Sequence, residues 1–357
     1  MRKITDEWKS DIEDASTAEL LANLPAAVAE KDVHITDVLR ELSQISVSHV
    51  AHRQNHKKGD RDPARIEVKT HLVFAGGTCL SKAHGLIERM SEDIDIKIVL
   101  DDVPEGYALP GGRTDRARLG DIHKQVLQRL EAAGFTLTVV EDRNNPFSLD
   151  ERRYHQLAVD YEPHFPDIAG VLRPQLKVEL IHRPPKLATE MLEMSYMLDR
   201  LVGRETDKPI QMLCISVAET LGEKVLSLLR RCAWQWDGHQ RGKFDTALVR
   251  HVYDVWRINE SMPETVQAAT TVFRALVEKD ALEFKGQNPE FDKDPYSVLR
   301  RALERAKTDA GLRQNFEQRL LPLLFAESKP DFEACFSTFA TVAQTLLDAA
   351  QSARGDA

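Results

Sequence analysis

The chain has 357 residues, 42% hydrophobic and 29% charged, which is typical of a soluble protein of roughly two or three domains. No apolar run approaches the ~18 residues of a membrane span, and the N-terminus lacks the apolar core of a signal peptide, so we expect a cytoplasmic protein with no membrane partner. The four scattered cysteines favour reduced thiols over disulfides, and the net charge of −9 argues against a surface that coats nucleic acid.

Residues 1–68 are predicted to form an N-terminal helical region. Ile35 to Val50 carries apolar residues at helical spacing, and Leu20 to Val28 shows the pattern more weakly. The polar stretch His52 to Arg65 is typical of a loop. Its charged residues are Arg53, Lys57, Lys58, Arg61 and Arg65 against Asp60 and Asp62.

Residues 69–205 are predicted to form a core of strands and helices. A buried strand at 72–75 ends at two glycines, and apolar spacing predicts helices at 78–90 and 119–133. Alternation predicts a half-buried strand from Asp93 to Val99. Three further strands are predicted at 135–140, 154–161 and 175–181.

Residues 206–357 are predicted to form a C-terminal helical domain. Helix breaks are expected near 238–242, Pro263, 287–295 and Pro330. The fold class predicted for the chain is therefore α+β, with a mixed core between helical flanks.

Two glycines follow the first core strand and begin the next predicted helix. Gly76 and Gly77 let the backbone approach a ligand where a Cβ would obstruct it. The free N–H groups at the start of that helix favour a phosphate. Thr78 or Ser81 can add a hydroxyl donor, and Lys82 can reach a triphosphate oxygen. Because Gly-Gly before a helix is common, this feature alone predicts a phosphate site only weakly.

Asp93 and Asp95 alternate with Ile94 and Ile96 in the next strand. The two carboxylates therefore project from one face of the strand, where they repel each other unless a cation lies between them. Mg²⁺ is typically held by one or two carboxylates plus substrate phosphates, so the pattern predicts a Mg²⁺–NTP site. The alternative is a solvated acidic edge strand, which the low frequency of Asp in strands disfavours.

A third carboxylate is needed to activate an attacking hydroxyl or to complete a two-metal site. Glu179 shares a strand face with Lys177, while the alternating apolar residues take the other face. Asp160 on the preceding strand is the alternative. We predict Glu179 as the third member of the catalytic and metal-binding set.

The run FAGGTCLSKAHGLIERMSEDIDI resembles the first motif of the DNA polymerase β-like nucleotidyltransferases. It is most similar to the AbiEii/AbiGii-type toxins, a group that includes the MenT proteins and shows Gly-Gly-Thr-x-Leu-Ser-Lys followed by Ser-Glu-Asp-Ile-Asp. The resemblance covers roughly residues 70–258 and implies a polymerase β-like nucleotidyltransferase core.

A second stretch around Lys224 is similar to the family's helix ending in Glu-Lys-x-x-Ala-Leu, with Gly222 in place of the usual Ala. The stretch from Arg250 to Trp256 resembles Arg-Asp-x-Tyr-Asp-Leu, although His251 departs from it and no role is carried over there. Lys224 and Arg250 could neutralise the triphosphate as pyrophosphate leaves. Asp254, four residues after Arg250, could orient that arginine. Without the resemblance, an exposed helix cation would be the simpler interpretation of both basic residues.

The resemblance implies a toxin of a toxin–antitoxin or phage-defence pair that transfers NMP from an NTP to an acceptor hydroxyl, with a tRNA 3′ end as the leading acceptor and a cognate antitoxin as a possible partner. Residues 223–257 carry seven Lys or Arg against four acids, which fits a negatively charged substrate. Trp234 and Trp236 could stack on bases or could be half-buried helix-end aromatics. The alternatives are nucleotidylation of a protein or small molecule, and a nucleotide-binding interaction protein without turnover.

Overall fold

The computed structural model describes residues 1–21, 24–55, 59, 61–62, 64–138, 148–166, 172–173, 175–204, 209–240, 242–326 and 328–352. The chain divides into two compact units. Unit 1 comprises Met1–Ala83, Ser91–Pro185 and Thr189–Cys214, and unit 2 comprises His84–Met90, Lys186–Ala188 and Ile215–Ala357. Within the described ranges, no helix is both long and apolar enough to cross a lipid bilayer.

Unit 1 contains the β-sheet. Its strands are β1 (Val47–Arg53), β2 (Arg65–Ala75), β3 (Asp93–Leu100), β4 (Tyr107–Ala108), β5 (Thr136–Thr138), β6 (Ser148–Leu149), β7 (Tyr154–Asp160), β8 (Gln175–Ile181), β9 (Glu190–Met194) and β10 (Ile210–Cys214). Its helices are α1 (Asp6–Thr17), α2 (Ala26–Ser43), α3 (Gly76–Lys82), α4 (Asp115–Ala132) and α5 (Met197–Val202), with short 3₁₀ turns at Pro110–Gly112 and Asp150–Arg152.

The strand order of the sheet is β4-β1-β2-β3-β8-β7-β5. β10 pairs in parallel with β2 and antiparallel with β9, and β6 pairs with β7. Because β3 is antiparallel to β2 and parallel to β8, the C-terminal end of β2 and the N-terminal ends of β3 and β8 meet at one end of the sheet. The residues of interest are concentrated there.

Alternation along β3 and β8 separates a buried face from a polar face. Ile94, Ile96 and Ile98 of β3 are fully buried, as are Leu176, Val178 and Leu180 of β8. Burial of these aliphatic side chains, at about 1.5–3 kcal/mol each, fixes the register of both strands. The polar side chains at the intervening positions are therefore held on the opposite face.

Unit 2 is helical in its described residues. Its helices are α6 (Val217–Trp236), α7 (Arg250–Ser261), α8 (Glu264–Glu283), α9 (Pro289–Lys293), α10 (Pro295–Ala306), α11 (Ala310–Asn315) and α12 (Phe332–Ser352), with 3₁₀ turns at Thr246–Val249 and Leu321–Leu323 and a π turn at Phe316–Leu320. Gly222 marks the close approach of α6 to α8, because a Cβ there would lie 3.1 Å from Cδ1 of Leu276. The glycine that departs from the family pattern therefore has a packing reason.

The predicted α+β class is confirmed, but several predicted elements are wrong. Residues 44–50 are not helical, since α2 ends at Ser43 and β1 begins at Val47 and pairs with β2 from Val47↔Thr70 onward. This long-range pairing overrides the local helical spacing. β2 also begins at Arg65, seven residues before the predicted start, and β10 interrupts the region predicted as helix beyond residue 206.

The helix predicted at 78–90 ends at Lys82. Gly85 has a left-handed φ of +65°, and the segment His84–Met90 folds with unit 2, where the N–H of Met90 donates to the carbonyl of Leu323 at 3.0 Å. Tertiary hydrogen bonds therefore replace the last two predicted helical turns. Residues 139–140 of a predicted strand, and Lys57, Lys58 and Asp60 of the predicted loop, lie outside the described residues.

Candidate active site

The structure brings the three predicted carboxylates together on the polar face of β3 and β8. Asp95 is the direct register partner of Glu179, and Asp93 is the partner of Lys177. Directly opposed residues of neighbouring strands have Cβ atoms roughly 5 Å apart, so their carboxyl groups can meet. Asp160 lies opposite Gln175, whose Nε2 donates to its Oδ1 at 2.6 Å. The register therefore favours Glu179 over Asp160.

Asp95 and Glu179 form a coupled pair. Burial, followed by the negative charges of Glu179 and Asp93, raises the pKa of Asp95 well above its ordinary value. Burial alone would also raise the pKa of Glu179, but the Lys177 ammonium and hydrogen bonds from Lys177, Tyr154 and Asp95 lower it. Burial and the neighbouring negative charges therefore favour the protonated form of Asp95, and the two carboxyl groups are hydrogen-bonded to each other.

Two groups that sequence reasoning did not assign hold Glu179 in place. Nζ of Lys177 lies 2.7 Å from Oε1 of Glu179, and the Tyr154 hydroxyl donates to the same oxygen. Burial and the negative charge of Glu179 raise the pKa of Tyr154, so the phenol stays protonated. Tyr154 begins β7, and its position could be found only from the β7–β8 register.

Gly76 lies beneath Asp95. A Cβ built at Gly76 would lie 1.8 Å from Oδ2 of Asp95, and the residue has a left-handed φ of +75°. Glycine is therefore required both by the backbone conformation and by the approach of the carboxylate. The neighbouring Gly77 is half-buried and belongs to the first turn of α3. The observed approach is that of Asp95 to Gly76, so the predicted contact of the glycine pair with phosphates stays a prediction.

Thr78 and Lys82 are placed differently from the prediction. Both side chains are buried, since positions four apart lie on the same face of α3. The Thr78 hydroxyl donates to the carbonyl of Asp93, and Nζ of Lys82 donates to Oδ1 of Asp32 at 2.6 Å. Their donors are therefore used within the protein in this structure, whereas Ser81 is half-buried on another face of the helix.

Three consecutive charged residues of α2 fix the surroundings of the site. Both carboxylate oxygens of Glu30 accept backbone N–H groups, from residues 164 and 165. Lys31 forms a 2.6 Å ion pair with Glu92, and Asp32 accepts from Lys82 and from the N–H of Met197. All three are buried. These residues lie between the two segments with predicted helical spacing, 20–28 and 35–50, and nothing in the sequence indicated their contacts.

Arg173 is a further residue that the sequence did not single out. Its NH1 lies 2.6 Å from Oδ1 of Asp93. The cations Arg173 and Lys177 therefore offset part of the charge of the three carboxylates.

The carboxylate set fits a Mg²⁺–NTP complex. Its donors are hard oxygens, and a divalent cation would offset the negative charges of Glu179 and Asp93 that, together with burial, raise the pKa of Asp95. Among the described residues, no group of three or more His, Cys, Asp and Glu side chains is arranged so that it could hold a metal ion by itself. A Mg²⁺ site that substrate phosphates complete does not need one.

Unit 2 holds a separate buried cluster around Asp254. Its fully buried carboxylate accepts two hydrogen bonds from Arg89, each 2.7 Å, and one from Nζ of Lys224, also 2.7 Å. Burial alone would raise the pKa of Asp254, but the charges of Arg89 and Lys224 hold it below its ordinary value. The sequence predicted Arg250 as the partner of Asp254 and did not find Arg89. The predicted contact of Lys224, Arg250 and Asp254 with a triphosphate stays a prediction.

The basic stretch 223–257 is less exposed than its sequence suggests. Trp234 and Arg230 are buried, and the guanidinium of Arg230 lies 4.8 Å from the ring of Trp234 and 2.9 Å from Asp280. Trp234 is therefore a core aromatic and not a stacking platform for bases. Arg231 is half-buried and Lys243 is exposed, while Arg241 lies outside the described residues.

The chain was compared with known proteins in three ways. Among solved structures, the chain is similar to MenT4, a nucleotidyltransferase toxin from Mycobacterium tuberculosis H37Rv, with 22% identity, a TM-score of 0.32 and 66% of each chain covered. No match was found among curated proteins. The model of the AbiEii family, described as nucleotidyl transferase toxins of type IV toxin–antitoxin systems, matches residues 64–338, which contain all three carboxylates and the glycine pair. The chain therefore belongs to the AbiEii family of nucleotidyltransferase toxins.

Proposed function

We propose that this nucleotidyltransferase moves an NMP group from a Mg²⁺-bound NTP to an acceptor hydroxyl and releases pyrophosphate. One observation carries the proposal, namely that Asp95 and Glu179 are directly opposed on parallel strands while the glycine backbone at residue 76 lies against Asp95. A carboxylate pair beside a glycine backbone fits a metal-bound triphosphate, which needs carboxylate oxygens and room for its phosphates.

The residues of unit 1 have distinct proposed roles. Asp93, Asp95 and Glu179 would hold Mg²⁺, which would offset negative charge on the triphosphate as the bond to pyrophosphate breaks. A bound cation would favour the ionised form of Asp95. Gly76, Gly77 and Ser81 would contact the phosphates, whereas Lys82 and Thr78 would support α3 from within.

Glu179 would also bind the acceptor hydroxyl. A hydroxyl that donates to its carboxylate would be aligned for attack on the α-phosphorus, with the proton passing toward the carboxylate. Lys177 and Tyr154 both contact Oε1 of Glu179. The two partners fix the carboxylate orientation on which the alignment depends.

For the acceptor we propose RNA, with a tRNA 3′ end as the first candidate that the family resemblance implies. Nucleotidylation of a protein hydroxyl or a small molecule uses the same chemistry, and the experiment below distinguishes it from transfer to RNA. Since the family belongs to type IV toxin–antitoxin systems, a cognate antitoxin is the expected protein partner.

The test is incubation with each α-labelled NTP, Mg²⁺, total cellular RNA and total protein, beside Asp93→Ala/Asp95→Ala. We expect label in a tRNA-sized band that disappears in the double variant. A labelled protein band with no labelled RNA would identify a protein, and not RNA, as the acceptor. No label in any fraction with any NTP would contradict the transferase proposal and would leave a nucleotide-binding protein without turnover.

A further inference from the structure

Arg173 forms an ion pair with one of the proposed catalytic carboxylates, although it is not itself in the predicted catalytic set. Its NH1 donates to Oδ1 of Asp93 at 2.6 Å, and its side chain is 40% exposed. A guanidinium in this position neutralises Asp93 before any metal arrives. The pairing is at the surface, where ion pairs are weak, so it can be exchanged.

The backbone of Arg173 is held on both sides by a buried ion pair. Its N–H donates to Oε2 of Glu92 at 2.7 Å, and its carbonyl accepts from Nζ of Lys31 at 2.6 Å. Lys31 and Glu92 lie 2.6 Å apart, with side-chain exposures of 0% and 2%. Burying two charges is costly and gives little stability in return. Here the pair fixes the backbone from which an exposed guanidinium reaches the site.

There is space beside Arg173 for its side chain to move. Arg173 lines a pocket of about 360 Å³ together with Glu30, Tyr161, Phe165 and Leu172. Both oxygens of Glu30 already accept backbone N–H groups. Arg173 therefore lies between a carboxylate of the metal site and an open volume.

We propose that Arg173 is a triphosphate-binding residue that releases Asp93 and binds a phosphate oxygen when the Mg²⁺–NTP complex enters. This inference rests on the proposed function and adds a substrate-binding residue to it. The planar guanidinium matches phosphate geometry better than any other side chain does. Oxygens that share one octahedral Mg²⁺ are about 3 Å apart, so a phosphate on the same ion as Asp93 lies within reach of the guanidinium.

If Arg173 exchanges Asp93 for a phosphate, its loss should affect metal affinity and nucleotide affinity differently, which other roles of the residue would not do. Loss of Arg173 frees Asp93 for the cation, so the affinity for metal alone stays equal or rises. The affinity for the nucleotide falls, since a charge-assisted hydrogen bond to phosphate is lost. A purely structural arginine would lower both affinities, and an arginine that only replaces the metal would leave nucleotide binding unchanged.

The experiment measures Mn²⁺ binding by electron paramagnetic resonance without nucleotide, and binding of the α,β-methylene analogues of ATP, GTP, CTP and UTP with Mg²⁺ by calorimetry. The variants are Arg173→Gln and Arg173→Lys. The matched control is Arg113→Gln, which removes an arginine of 39% side-chain exposure from its pair with Asp121. Thermal melts establish that each variant is folded.

We expect Arg173→Gln to bind Mn²⁺ at least as tightly as the unmodified protein and to bind its preferred analogue roughly tenfold more weakly or worse, with Arg173→Lys between the two. Arg113→Gln should match the unmodified protein in both assays. Unchanged analogue affinity in Arg173→Gln, or loss of both affinities with a lowered melting temperature, would overturn the inference. Absence of analogue binding by the unmodified protein would instead overturn the proposed function, and this inference with it.

Discussion

At the scale of single residues, the site depends on how closely the backbone and the carboxylates approach each other. Asp95 is half-buried, opposes Glu179 and lies over Gly76. Each of these contacts is close or brings negative charges together, and a bound cation would offset that charge. Functional sites commonly keep such unfavourable contacts, which lower the stability of the folded protein.

Replacing Gly76 with Ala should abolish transfer. The added Cβ would overlap Oδ2 of Asp95, and the left-handed φ adds roughly 1 kcal/mol of backbone strain. Gly134→Ala is the matched control, because Gly134 has a φ of +84° with no atom within 4 Å of the added Cβ. We expect both variants to lose stability in urea denaturation, Gly76→Ala more because of the overlap, while only Gly76→Ala loses label transfer by 100-fold or more, an estimate of about 3 kcal/mol. Full activity in Gly76→Ala would show that Asp95 does not need its observed position.

Replacing Asp95 with Asn should stabilise the metal-free protein at neutral pH. The folded-state pKa of Asp95 is raised, so the folded protein binds more protons than the unfolded chain between pH 3.8 and that raised pKa. Stability therefore falls as pH rises through this window and stays reduced above it. Chemical denaturation in EDTA from pH 5 to 8 should show Asp95→Asn more stable by about 1 kcal/mol at the upper end, with a weaker pH dependence. A variant less stable than the unmodified protein throughout would contradict the assigned direction.

Alternation alone was enough to place Asp93 and Asp95 on one face of a strand, because the apolar isoleucines between them mark the core. Tyr154 and Arg173 could not be found in that way. Tyr154 meets Glu179 through the pairing of β7 with β8, 25 residues apart in the chain. Arg173 meets Asp93 across 80 residues. A single sequence contains no direct signal of either contact.

At the scale of elements, α2 is the support on which the site is built. Thirteen of its 18 residues are buried, and they include charged residues that bind the loop at 164–165, Glu92 and α3. A helix buried on most of its surface needs a partner for every charge it carries. Sequence patterning showed the helix but not these partners, since all of them are distant in the chain.

Lys82→Met should mainly lower the stability of the folded protein, and any effect on catalysis should be secondary. Removing the ammonium leaves Asp32 as a buried carboxylate without its 2.6 Å ion pair, which costs about 3–5 kcal/mol. Ser81→Ala, on a half-buried face of the same helix, should change stability by no more than about 0.5 kcal/mol. Urea denaturation checks both. If Lys82→Met keeps its stability and only raises KM for the NTP, the originally predicted phosphate contact is correct.

At the scale of the whole molecule, the net charge of −9 requires that any RNA contact be local. The stretch 223–257 has more basic than acidic residues, but folding buries Arg230 against Asp280 and Lys224 against Asp254. The boundaries of helices beyond residue 215 were largely predictable from Pro and Gly. The role of each basic residue could not be predicted, because it depends on which face of its helix packs into the core.

Exposed cations of this stretch should account for the salt dependence of RNA binding. Arg231→Gln/Lys243→Gln should reduce the slope of log K against log salt by about 1.4 for a single-stranded RNA end, if each residue contacts one phosphate. Lys285→Gln/Lys293→Gln removes equal charge at exposed positions elsewhere in unit 2 and should leave the slope unchanged. Filter binding over a salt series measures both, and equal slopes for the two double variants would exclude this stretch as the RNA contact.

The central claim is that Asp95 and Glu179 form the catalytic pair, and label transfer by three matched variants tests it most directly. Asp95→Asn and Glu179→Gln each remove one charge from the opposed pair, and Asp160→Asn removes one from the neighbouring strand. We predict that the first two lose transfer by about 100-fold or more while Asp160→Asn stays within a few-fold of the unmodified protein. Loss of transfer in Asp160→Asn with activity retained in Glu179→Gln would contradict the assignment and make Asp160 the third carboxylate.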